Sequence, residues 1–140
     1  MFTFNKEERE EKEFFTRKII STTKMIWDLE FSRSKTRRIR EEVRQQYDDM
    51  RAKMAALDEQ IAEQAKNPTM EKGEIAKLND KKVLFKKEEE RLLEQIKKMD
   101  VEVNGSERTE EYKDGHIGLD EQIEAFRELI GDFKEYIKNI

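Results

Sequence analysis

Alternating steps of four and three residues, taken from Phe15, land on Ile19, Thr22, Ile26, Leu29, Arg33, Thr36, Arg40, Val43, Tyr47, Met50, Met54, Leu57, Ile61 and Gln64. A register held without a break over this length commits the chain to a long helix, because a strand alternates every second residue and would scatter the series over both of its faces. The series is apolar at both ends and polar in the middle. It predicts a helix from about Lys6 to Lys66, roughly 90 Å long at 1.5 Å per residue. Asn67-Pro68 ends it, since proline disfavours helical backbone in the residue before it. Thr69 is expected to cap the next helix.

That helix, predicted over about residues 70–99, carries a weaker seam. Ile75, Leu78, Phe85, Leu92, Ile96 and Met99 keep the spacing, but Lys82 and Glu89 occupy two of its positions. The third segment, about 119–139, is the cleanest: Leu119, Ile123, Phe126, Ile130, Phe133, Ile137 and Ile140 repeat without a polar interruption. Gly118 or Asp114 can cap its start, and Asp120, Glu121 and Glu124 suit the positive end of its dipole.

A short turn between two heptad-bearing helices implies an antiparallel hairpin. The expected fold is therefore all-α: a single elongated unit over residues 1–140, with a hairpin or coiled coil of the first two helices and the amphipathic third helix continuing over Leu29 back to Phe15. Residues 100–118 are expected to be an acidic connector, with two basic and six acidic residues. Val101–Ser106 could form a tiny β-turn within it. The uninterrupted third seam predicts that Ile130→Asp is the costlier lesion and Leu92→Asp, in a more polar neighbourhood, the milder one.

Composition agrees. With 44% of 140 residues charged and 35% hydrophobic, there is too little apolar material for a broad core, and one proline with five glycines cannot supply the turns of an all-β fold. The absence of cysteine excludes disulfides, thiolate metal sites and cysteine nucleophiles. Neither a signal peptide nor a membrane span is expected, which favours the cytoplasm or the interior of a macromolecular particle. One histidine and scattered carboxylates assemble no catalytic group, and no phosphate-binding or dinucleotide glycine pattern is present, so no enzyme activity and no cofactor are expected.

Three stretches could carry function. The first is the N-terminal part of the long helix, apolar on more than its seam. Phe14, Ile20, Met25, Trp27 and Phe31 lie off the heptad series, and Ile20, Trp27 and Phe31 share one face at spacings of seven and four. Either Leu129 and Tyr136, or the extreme Phe2 and Phe4, fold over this face, or Phe14, Ile20, Trp27 and Phe31 dock on a protein partner or a second copy.

The second stretch is the basic cluster of Arg33, Arg37, Arg38, Arg40 and Arg44. Its structural role would be to pair with Glu102, Glu107, Glu110 and Glu111 of the connector. Its functional role would be contact with phosphate, with RNA or with an acidic protein surface. The third stretch, Glu110 to Glu121, resembles the second half of an EF-hand calcium loop, with Asp114 at the fifth position, Gly115 at the sixth and Glu121 at the twelfth. Glu110 replaces the usual Asp at the first position, and Tyr112 offers no carboxylate at the third. His116 reads as an exposed loop residue.

The leading functional expectation is a non-enzymatic coiled-coil interaction or structural subunit, a spacer, clamp or adaptor that docks through the aromatic face. The alternative is a factor associated with RNA or ribonucleoprotein through residues 33–44.

Overall fold

The computed structural model describes residues 5–140 and is built of three helices, with no strand among them: α1 (Lys6–Lys66), α2 (Lys72–Asn104) and α3 (Leu119–Asn139). Phe2 and Phe4 lie outside the described residues. Every position of the three heptad series named above is buried or half-buried. The chain divides into two compact units, residues 5–36 with Asp100–Ile140, and Arg37–Met99.

The unit Arg37–Met99 is a helical hairpin of α1 and α2. Its core is Val43, Leu92 and Ile96, against which Tyr47, Met50 and Met99 pack. The Lys82 ammonium reaches Asp58 Oδ1 at 2.7 Å, so the charge in the α2 seam is answered by a carboxylate on α1, and both side chains keep contact with solvent. The turn is organised from α1. Gln64 Oε1 accepts from the amides of Thr69 and Met70, both at 3.0 Å, and its Nε2 donates to Thr69 Oγ1 at 3.0 Å. Thr69 is thus held by the preceding helix and does not cap the following one. The Glu71 carbonyl instead accepts from Glu74 and Ile75, and α2 begins at Lys72.

The other unit joins the N-terminal part of α1 to the last residues of α2, the connector and α3. Asn5 starts α1, its Oδ1 accepting from the Glu8 amide at 2.8 Å, and Glu8 follows it at the spacing of a capping box. Phe15 lies 5.5 Å from the Phe133 ring and 4.6 Å from the Tyr136 ring, centroid to centroid. Further along, Glu30 accepts from Arg127 at 2.7 Å and Arg33 donates to Asp120 at 2.8 Å. Rising numbers on α1 meet falling numbers on α3, so the two helices run antiparallel. Thr22, Ile26, Thr36, Val103, Leu119 and Ile123 are among the buried residues of this unit, with Ile123 fully enclosed.

The connector differs from its sequence reading. Helix α2 continues past Met99 to Asn104, where Gly105 at φ 81° takes the left-handed C′ position and returns its amide to the Val101 carbonyl at 2.7 Å. No β-turn forms over Val101–Ser106. The loop is pinned by an antiparallel bridge between Ser106 and His116, with bonds of 2.9 and 3.0 Å. Gly118 is the N-cap of α3. A Cβ placed on it would stand 2.3 Å from the Gly105 nitrogen and 2.4 Å from the Val103 oxygen, so the end of α2 and the start of α3 touch backbone to backbone.

Candidate functional site

An α-helix turns through about 100° per residue, which puts Ile20, Trp27 and Phe31 within about 40° of one another on α1 and places Phe14 roughly 120° away. Ile20 is 53% exposed, Trp27 63% and Phe31 72%, an unusual state for three large apolar side chains on one line. Two hydroxyls beside the line already have an acceptor within the helix. Thr16 Oγ1 donates to the Lys12 carbonyl and Thr23 Oγ1 to that of Ile19, each at 2.7 Å, so neither hydroxyl proton is left without an acceptor if the face is covered.

Helix α3 does not cover this face. Tyr136 lies against Phe15, and its hydroxyl donates to Glu11 Oε2 at 3.0 Å, a bond that raises the phenol's pKa above its ordinary value. Leu129 remains partly exposed. Phe14 separates from the other three. Its ring stands edge-on to Phe15 at 5.3 Å, with the Lys18 ammonium 5.4 Å from its centroid, and it shares its side of the helix with exposed Met25. The exposed apolar line is therefore Ile20, Trp27 and Phe31, with Phe14 on a different side.

The arginines are not one free stripe. Arg33 faces Asp120 in the first turn of α3, and its Nε is buried without a hydrogen-bond partner. Its partner is an α3 residue and not one of the connector glutamates. Arg44 binds Asp48 one turn along its own helix at 3.4 Å and approaches the Tyr47 ring at 6.0 Å. Arg37 and Arg40 are engaged as well, and Arg38 is exposed.

The calcium-loop resemblance does not yield a site. Gly115 does take a positive φ of 76°, but around it the loop closes on itself, Thr109 donating to the Tyr112 carbonyl and Gly115 to the same carbonyl. Glu121 lies on α3 in a shallow groove with Asn104, Glu107 and His116. Glu110, Asp114 and Glu121 do not converge, and among the described residues no three acidic or histidine side chains are placed to hold a cation. The Ser106 hydroxyl donates to the Glu107 carbonyl at 2.8 Å, and its link to His116 runs through backbone alone.

No family model, no curated protein and no solved structure matches this chain. Among the described residues, no helix is long and apolar enough to cross a membrane. Other exposed apolar residues lie apart from the face: Ile117 in the connector, and Val83 and Leu84 on α2. Sequence periodicity does not single these out, because Val83 and Leu84 fall between the seam positions Lys82 and Phe85 and Ile117 stands in a loop, so none of them belongs to a helical repeat.

Proposed function

We propose that the chain is a non-enzymatic interaction or structural subunit, a spacer, clamp or adaptor of a larger assembly in the cytoplasm or inside a macromolecular particle. It docks on protein through Ile20, Trp27 and Phe31. The observation that carries this reading is the exposure of these three residues on one line of α1 while α3 is engaged on another side of the same helix. Aromatic side chains combine large apolar area with few rotatable bonds, which makes them the usual anchors of protein interfaces. The RNA-associated reading draws less support, since Arg33 and Arg44 are committed to carboxylates and Tyr47 is already flanked by Arg44 and Arg51.

The test compares the wild-type chain with Trp27→Lys and with Phe14→Ala. A complex of defined stoichiometry that is lost in Trp27→Lys, kept in Phe14→Ala and accompanied by unchanged far-ultraviolet circular dichroism supports the docking face. Associations that survive Trp27→Lys intact overturn it.

A further inference from the structure

On α1, Arg17, Ile20, Lys24, Trp27, Phe31 and Ser34 follow one another in steps of three and four, a second heptad line on a side of the helix that α3 leaves open. All six are exposed. We infer that this line pairs with itself, in antiparallel orientation, in a second copy of the chain. The inference rests on the docking reading above and names its occupant.

The reason is self-complementarity. A two-fold interface presents the same patch from both sides, so each residue must suit the one that symmetry places opposite it. Read against its own reverse about a point between Met25 and Ile26, the line sets Ile20 against Phe31, Lys24 against Trp27 and Arg17 against Ser34. Apolar meets apolar, and the lone central cation meets the face of an indole, where its charge is attracted by the ring quadrupole. Parallel pairing would lay Arg17 on Arg17 and Lys24 on Lys24, placing like charges directly opposite at two levels of one short interface. The charge pattern thus selects the antiparallel arrangement.

The same pattern sets the strength. With aromatic and aliphatic side chains of about 150–250 Å² each, three residues at these exposures supply roughly 350–400 Å² per copy, no more than about half of the ~800 Å² per partner of a standard interface. The dimer is therefore weak, with a dissociation constant on the order of 10–100 μM.

Trp27 is the sole tryptophan and the chain has no cysteine, which gives two clean readouts. Sedimentation velocity and tryptophan fluorescence, followed on the full chain from about 1 μM to about 1 mM around that dissociation constant, should show a monomer–dimer equilibrium and a blue shift of emission on association. Trp27→Lys should weaken the dimer at least about tenfold. Mixing Arg17→Cys copies with Ser34→Cys copies under mild oxidation should give the mixed disulfide, with little product from either variant alone.

A monomer at every concentration, a dimer indifferent to Trp27→Lys, or disulfides formed by Arg17→Cys alone each overturn the inference. A monomeric chain that still loses a complex with another protein on Trp27→Lys overturns the second copy while leaving the docking face standing. A monomer with no association that depends on Trp27 removes both.

Discussion

Arg33 Nη1 donates to Asp120 Oδ1 at 2.8 Å, tying a heptad position of α1 to the first turn of α3. The carboxylate sits where the helix dipole favours negative charge, and the guanidinium occupies a place in the seam that would otherwise be apolar. Arg33 keeps 22% of its side-chain exposure and Asp120 40%, so the pair is only partly withdrawn from water. A double-mutant cycle with Arg33→Met and Asp120→Asn should return a coupling of about 1 kcal/mol in thermal melting. Arg33→Met by itself should be nearly neutral, because it removes a buried Nε that has no partner and restores apolar packing. A coupling of zero would mean that the pair is not held in solution.

Two glycines separate backbone contact from open space. Gly118→Ala drives a Cβ into the Gly105 nitrogen and the Val103 oxygen, and should cost several kcal/mol as α3 is pushed from the end of α2. Gly131, inside α3, has nothing within 4 Å of the position its Cβ would take. Gly131→Ala should therefore stabilise by about 0.5–1 kcal/mol, through helix propensity and a less flexible unfolded chain. Denaturant titration of the two variants reads both signs.

Burial reverses the ordering of two seam lesions expected from sequence. Leu92 is 1% exposed in the Val43 and Ile96 cluster, whereas Ile130 is only half-buried. Leu92→Asp should consequently cost more than Ile130→Asp, each by several kcal/mol, since an unpaired carboxylate is penalised according to how far it is removed from water. Equal midpoints of thermal unfolding would argue against the Val43 cluster as the core of the hairpin.

Phe15 and Trp27 are both aromatic residues of α1 with opposite roles. Phe15→Ala removes a ring packed on Phe133 and Tyr136, and should cost about 2–4 kcal/mol. Trp27→Ala, at an exposed position, should change stability by less than about 0.5 kcal/mol in dilute monomer. A large loss from Trp27→Ala would show that the face is covered within the chain.

The Tyr136 phenol titrates late because its hydrogen bond to Glu11 favours the protonated form and the nearby carboxylate opposes phenolate charge. A folded-state value above the unfolded one, near 10 for a free phenol, means that the bond's contribution is whole below the unfolded value and lost as pH rises through the folded one. The difference absorbance titration between wild type and Tyr136→Phe should show a midpoint above the ordinary tyrosine value. Glu11→Ala should bring that midpoint back down. An unshifted Tyr136 in the wild-type chain would show that the bond is not made.

What the sequence by itself determined was which residues turn inward along each helix. The heptad positions of the series from Phe15 to Gln64, from Ile75 to Met99 and from Leu119 to Ile140 are all withdrawn from solvent as their spacing requires, and α1 and α3 begin and end where their patterns do. Periodicity and termination signals such as Asn67-Pro68 act over a few turns, so they are written locally. The exposed line of Ile20, Trp27 and Phe31 was legible for the same reason, being a repeat that one packed face cannot absorb.

The tertiary structure decided which distant group meets each of those residues. Nothing near Arg33 in the chain names Asp120 as its partner in preference to a connector glutamate, and nothing near Gly118 shows that Val103 and Gly105 press against it. Leu92 reads as a residue of a diluted seam until Val43 arrives from the other arm of the hairpin. Helix spacing alone puts Phe14 on a different side from Trp27, but only the fold sets its ring edge-on to a Phe15 that is held by Phe133 and Tyr136. Such choices depend on the arrival of remote chain, and the free energy of burial falls to whichever surfaces meet.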